Sequence, residues 1–221
     1  MLTQYRSQLG LTLIELLVSV VIGVVVLGGT IALFSTALLH SRKTIEASRL
    51  NQELQMVLNK ITTDVQRAGF WGGAETSSDN PFMVTGSSDI VVNAAGDCIL
   101  FTYDLGEDYI LPEISAQDED EHFGYRLRDN AIQYRPSTAP FDCAADTTTW
   151  INLADSKLVR ITQFNASLTS STIDLDGTGP GIETLTVRAL TITLTGELTK
   201  DASVSESLTK RIKLYNDKYS S

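Results

Sequence analysis

Gly10-Leu11-Thr12-Leu13-Ile14-Glu15-Leu16-Leu17 sets one carboxylate at the head of an apolar run that continues from Leu16 to Leu39 without a charged residue. The run exceeds the roughly 20 residues a helix needs to cross a bilayer. It is too long for the apolar core of a conventional secretory signal, which holds about 7–15 residues. A charge inside a membrane helix is expensive, and acids placed there are functional by default. Glu15 therefore requires a partner, because a buried carboxylate is tolerable when a cation neutralises it. Two plainer readings stand beside this one. Glu15 is a stray acid at the edge of an ordinary anchor, or the run is an export signal cut after Ala37, with Ser35 and Ala37 as its small residues.

Beyond Leu39 the pattern turns amphipathic. Leu50, Leu54, Val57, Leu58, Ile61, Val65 and Ala68 recur at three- and four-residue steps, which marks one face of a helix. Arg49, Glu53, Lys60 and Arg67 take the other positions. No proline precedes Pro81, so nothing forces a break. The spacing predicts one helix from about Thr12 to Ala68, roughly 85 Å long at 1.5 Å per residue. Gly69 is the expected C-terminal cap. The first half suits a membrane, and the second lays its apolar stripe on a sheet. Gly23, Gly28 and Gly29 lower helix stability in the first half. Close contact with neighbouring helices is the preferred reason for them, with local bending or melting as the alternative.

The local sequence resembles the processing site of class III signal peptides in type IV prepilins and type II secretion pseudopilins. A short polar leader with Arg6 precedes Gly10, and Thr12, Glu15 and the long apolar helix follow. The resemblance implies that a prepilin peptidase cuts after Gly10 and that the new amine on Leu11 is methylated. Phenylalanine is usual at that position, where this chain has Leu11. It also implies that Glu15 neutralises a subunit's N-terminal amine during filament assembly. Arg6 precedes the span while Arg42 and Lys43 follow it. Charge therefore does not orient the chain, and a cytoplasmic leader with a periplasmic head follows from the resemblance alone.

A narrower likeness covers the remainder. Arg67-Ala68-Gly69-Phe70-Trp71-Gly72 looks like the helix end of PilW-type minor pilins, and Ile99 to Asp104 with Phe123 to Leu127 is similar to their central region. Leu194-Thr195-Gly196 and Leu214-Tyr215-Asn216-Asp217 sit where that group carries its last strands. The same order resembles the J-type minor pseudopilin of type II secretion. The expected fold is α+β and type IV pilin-like, with a long N-terminal helix packed on an antiparallel sheet. Its divisions are a leader (1–10), a membrane and filament-core helix (11–39), an amphipathic helix (40–68) and a β-rich head (69–221). The resemblance implies a low-abundance subunit in the inner membrane and then in the pilus filament. Its partners would be the prepilin peptidase, the major pilin, other minor pilins, the inner-membrane assembly platform and a tip adhesin.

Alternation of apolar and polar residues predicts the strands of the head. They are Ile90–Asn93, Cys98–Tyr103, Phe123–Arg128, Ala131–Arg135, Leu158–Leu168, Ile182–Leu198 and Leu208–Tyr215. Asp129-Asn130 supplies a tight hairpin turn. In the segment 182–198, Leu185 and Val187 fall on one parity and Leu190, Ile192 and Leu194 on the other, which calls for a bulge near Ala189. Phe70 and Trp71 are expected to pack in the core where helix meets sheet, with a neighbouring subunit as the sharper alternative.

Residues 1–68 hold six Lys/Arg and four Asp/Glu, net +2, whereas residues 69–221 hold eleven and twenty-three, net −12. An acidic head repels phosphates, so direct nucleic-acid binding is not expected. Cys98 and Cys143 read as one disulfide if the head is exported. The bridge would close a loop of about 46 residues and add about 4 kcal/mol on a chain-entropy model. Acid-rich segments recur at 104–108, 118–121 and 174–177, and none has EF-hand spacing. Solvated loops are the simpler reading, with calcium in an exported loop as the alternative. The two histidines, His40 and His122, join no nucleophile elbow, zinc helix or phosphate loop. No catalytic residue, metal ligand or cofactor is assigned. A membrane-anchored periplasmic enzyme stays a remote alternative that a cleft holding two acids would favour.

Overall fold

The computed structural model describes residues 10, 12–75, 79–111, 121–136, 139–145, 149–177 and 183–220. Helix α1 runs from Leu13 to Val65, and among the described residues nine antiparallel strands follow. The chain divides into two units at Ile45/Glu46, inside α1.

In the first unit the helix is apolar all round, and its large side chains lie open, with Leu13 82% and Leu33 74% exposed. Such a surface must be covered by lipid or by other protein. The hydroxyls of Thr30, Ser35 and Thr36 donate to the carbonyls of Leu27, Ile31 and Ala32 at 2.8, 2.8 and 2.9 Å. They therefore need no water, as a hydrocarbon environment demands. The helix continues through Gly23, Gly28 and Gly29. A Cβ at any of them would meet nothing within 4 Å, so no contact within the chain uses their small size.

In the second unit the apolar stripe of α1 is the core. Leu50, Leu54, Val57, Leu58, Ile61 and Val65 are buried, together with Ala68. The α-helix ends at Val65 rather than at Ala68. Its last turn tightens, with the Arg67 and Ala68 amides donating to the Asp64 and Val65 carbonyls at 3.1 and 3.0 Å. Gly69 then takes the left-handed conformation (φ +75°) expected of the cap.

The head carries two sheets. The first orders β1 (Ile90–Val92), β2 (Cys98–Thr102), β3 (His122–Arg128), β4 (Ala131–Tyr134) and β5 (Ile151–Asn152) as a meander. Asp129 and Asn130 join β3 to β4 with φ of 51° and 58°, the signature of a type I′ turn. The second sheet orders β6 (Val159–Asp174), β7 (Thr184–Leu198) and β8 (Asp201–Lys213), with β9 (Lys218–Ser220) also on β7. Strands β6 and β8 outrun their apolar patterns, because backbone pairing continues through exposed polar residues such as Ser170 to Thr172. Ile182 lies outside the described residues.

No bulge occurs near Ala189. β7 pairs without a break from Thr184 to Gly196, and the register shifts fall at Ile161/Gln163 and Glu197/Leu198. Alternate residues from Arg188 to Leu198 are buried, so Leu185 and Val187 simply face the other side of the strand, half-buried. Ile99, Phe101, Tyr125 and Ile132 of the first sheet join Ile161, Phe164, Leu190, Ile192 and Leu194 of the second around the helix stripe. At Gly196 a Cβ would come within 2.9 Å of Leu54 Cδ2, so helix and strand approach as closely as a glycine permits.

A buried ion pair ties these parts together. Arg188 on β7 donates from both terminal nitrogens to Asp89, ahead of β1, with Nη2 to Oδ2 at 2.9 Å. The same Nη2 donates to the Asn216 carbonyl at 2.6 Å, and Asn216 Nδ2 donates to the Arg67 and Ala68 carbonyls at 3.0 Å each. A Cβ on Gly69 would lie 1.9 Å from Asp89 Oδ2. The helix end, the first sheet and the second sheet thus converge on one carboxylate.

Strand β2 is buried on both faces. Ile99 and Phe101 meet the helix core, while Cys98 and Leu100 meet Ala139 and Trp150 in a second cluster. Cys98 and Cys143 are joined by a disulfide. Arg126, opposite Cys98 in register and 2% exposed, lies 4.3 Å from the Trp150 ring centroid. It donates to the Cys143 and Ala145 carbonyls at 2.9 and 2.7 Å. Replacing both cysteines by alanine should cost about 2–5 kcal/mol, read as a lower urea midpoint with a steeper slope, because the uncrosslinked unfolded chain exposes more surface. An unmoved midpoint would mean that the bridge contributes nothing to the native state.

Candidate functional site

Thr12 caps α1. The Leu16 and Glu15 amides donate to its carbonyl at 3.2 and 3.1 Å, and the Glu15 amide also reaches Thr12 Oγ1 at 3.4 Å. Thr12-Leu13-Ile14-Glu15 has capping-box spacing. Glu15 is the acid of the first turn, exposed, and among the described residues it forms no ion pair. The helix dipole favours an acid there by about 0.3–1 kcal/mol, much less than the cost of carrying a bare carboxylate into hydrocarbon, about 2.5–3.5 kcal/mol or more. Capping alone thus leaves Glu15 short of a partner in any dry environment. Gly10 is exposed, with open space around its Cα, so this stretch is reachable by another protein. Leu11 lies outside the described residues.

The head contains a cleft of about 760 Å³ between α1 and the first sheet. Tyr103, Phe123 and Tyr125 line it, with Tyr103 and Phe123 stacked at 4.2 Å, and Phe101 stacks behind them in the core. Several of its polar groups pair with one another. Lys60 pairs with Asp64 at 2.8 Å, the Tyr125 hydroxyl donates to Asp64, and the Arg67 guanidinium lies 5.9 Å from the Tyr103 ring centroid. Burial first, then the bond to Asp64, pushes the Tyr125 phenol far above its ordinary value, and burial raises Tyr103 as well. The Tyr125 hydroxyl stays protonated at any physiological pH and donates to Asp64. Asp64 is the one carboxylate among the described lining residues. The two-acid cleft that would favour an enzyme is not what this cleft presents.

A second polar site lies where β2 and β3 leave the sheet. The register pairs Thr102 with His122, which brings Asp104 beside Glu121 just beyond the paired ends. Asp104 is 2% and Glu121 1% exposed. Asp104 Oδ2 accepts from the Gly72 amide at 3.1 Å, and Glu121 Oε1 accepts from the Leu105 and Gly106 amides. Asp108 joins them from the intervening loop, and one oxygen of each residue lies within 4.8 Å of the other two. Burial raises the Glu121 carboxyl above its ordinary value; the two amide bonds oppose this, and Asp104 and Asp108 reinforce it. Of the acid-rich segment 118–121, only Glu121 is among the described residues.

The structure brings together Cys98 and Cys143, and it places Glu15 at the start of α1. Phe70 departs from its expected place: it is 38% exposed and outside the core, because the chain reverses at Gly69 and turns this ring outward. Trp71 is half-buried, its indole packed against Gly73. Sequence reasoning missed Asp89, Arg188 and the convergence of Asp104 with Glu121. The density of acids at 104–108 was the only available signal, and it does not indicate which carboxylate turns inward.

Residues 43–214 match the family model described as prepilin peptidase-dependent protein B, and residues 5–31 match the prokaryotic N-terminal methylation motif. No curated protein and no solved structure matches the chain.

Proposed function

The chain belongs to the prepilin peptidase-dependent protein B family, and from that premise we propose that it is a PilW-type minor pilin of a type IV pilus. The observation that carries this reading is a continuous helix whose apolar half has its large side chains exposed, headed by an acid behind a methylation motif. In this reading the peptidase cuts after Gly10 and the amine of Leu11 is methylated. The chain waits as a single-pass inner-membrane protein with its head in the periplasm. On assembly Glu15 meets an N-terminal amine, and the apolar helix packs among those of the major pilin and other minor pilins. Gly23, Gly28 and Gly29 then permit close helix contact. The acidic head binds neighbouring heads in a complex that primes assembly and carries a tip adhesin. Binding, without turnover, is the whole mechanism.

Intact-mass and N-terminal peptide analysis of the native protein, with and without its prepilin peptidase, is the direct test. A mature chain beginning at Leu11, methylated only when the peptidase is present, is expected. A chain beginning after Ala37, or an uncut chain in both strains, would defeat the proposal. Loss of piliation on deleting the gene then separates a pilus from a type II secretion system. In the latter, a J-type minor pseudopilin, secretion would fail instead.

A further inference from the structure

We propose that Asp104, Asp108 and Glu121 form a calcium site at the open end of the β2–β3 hairpin. Three carboxylates meet there, two of them almost wholly buried. A cluster of exposed acids would need no explanation, since water solvates it. Buried acids differ, because each needs a hydrogen-bond donor or a cation on every oxygen. Asp104 Oδ2 and Glu121 Oε1 have their donors in the amides of Gly72, Leu105 and Gly106. Asp104 Oδ1 and Glu121 Oε2 are buried with no hydrogen-bond partner. Among the described residues no Lys or Arg forms an ion pair with any of the three. The site thus presents two buried carboxylate oxygens without a hydrogen-bond partner, with a third carboxylate at its mouth.

The spacing admits calcium. Oxygens bound to one cation lie no farther apart than twice the metal–oxygen distance. For calcium at about 2.3–2.6 Å that limit is about 4.6–5.2 Å, and for magnesium at about 2.0–2.1 Å it is about 4.0–4.2 Å. One oxygen from each carboxylate falls within 4.8 Å of the others, inside the reach of calcium, and magnesium, which dehydrates reluctantly, is seldom held by protein carboxylates alone. An all-oxygen set without histidine or cysteine also disfavours zinc and copper. Three protein carboxylates leave room for water, which places the affinity with the weaker extracellular calcium modules, about 10⁻⁴–10⁻³ M. Exposed Asp108 lets the ion enter from solvent, and binding would lock the loop from Leu105 to Ile110 against the ends of β2 and β3.

The test uses the full chain in detergent, stripped with a chelator and titrated with calcium chloride or magnesium chloride by calorimetry. Saturable calcium binding with a dissociation constant near 10⁻⁴–10⁻³ M and weaker magnesium binding are expected. Asp108→Asn, an exposed change that spares the buried pair, should weaken calcium at least about ten-fold by removing one charged ligand. Glu121→Gln should abolish binding. Asp174→Asn, at the end of β6 beside a separate acidic loop, should leave it unchanged. Absence of binding up to about 10 mM calcium, ten times the weak end of that range, would overturn the site. So would magnesium binding as tight as calcium, or equal calcium affinity in Asp108→Asn and the parent chain. Processing at Gly10 is read independently, so failure here leaves the proposed assembly role standing.

Discussion

Asp89→Ala is expected to destabilise the head by about 3–5 kcal/mol, the usual consequence of stranding one member of a buried ion pair. Asp89 and Arg188 have side chains only 3% and 6% exposed. Without the carboxylate, a guanidinium stays in the interior with one carbonyl, that of Asn216, as its recorded remaining acceptor. Lys218, whose Nζ lies 3.8 Å from Asp89 Oδ1, loses its counter-charge as well. Domain stabilities are commonly about 5–15 kcal/mol, so this one change removes a large fraction of the total. Urea unfolding followed through Trp71 and Trp150 reads the loss. The double variant Asp89→Leu/Arg188→Met removes both charges and should recover most of it, because apolar replacement of a buried pair is often neutral. A loss below about 1 kcal/mol, the level of an exposed ion pair, would mean that water reaches this site.

Glu15→Val should leave the chain inserted in the membrane and cut at Gly10, yet lower its recovery in sheared filaments at least about 100-fold. The size separates two roles for the acid. As a helix-capping charge it is worth about 0.3–1 kcal/mol, no more than about five-fold in an equilibrium. As the partner of an N-terminal amine in the filament core, its removal strands a charge at about 3–5 kcal/mol, which is two decades or more. Valine lengthens the apolar run, so insertion itself is helped rather than harmed. Quantitative immunoblots of filament and membrane fractions decide the matter. Equal distribution of the variant and the parent chain would reduce Glu15 to a capping residue.

Much of the helical architecture was legible because its determinants are local. The run from Leu16 to Leu39 carries its meaning in composition. The stripe from Leu50 to Ala68 carries its meaning in a 3.6-residue period, and all seven positions are buried. Gly69 announced the helix end, because a residue without Cβ is what a left-handed turn against Asp89 requires. The hairpin at Asp129-Asn130 was equally local. Where the head pattern misled, at Leu185 and Val187, the cause was a strand whose two faces are both partly covered, so that alternation no longer marks the core.

The sequence by itself determined an α+β chain with one long helix, an apolar half long enough to span a bilayer, and a processing motif with its acid. These depend on neighbours a few positions apart. Only the tertiary structure decided that the strands divide between two sheets, that Asp89 meets Arg188 across 99 residues, and that Asp104 and Glu121 each bury an oxygen without a hydrogen-bond partner. Those outcomes are set by which strand edges pair and in what register. Backbone hydrogen bonds carry no side-chain identity, so long-range pairing leaves little trace in the order of residues.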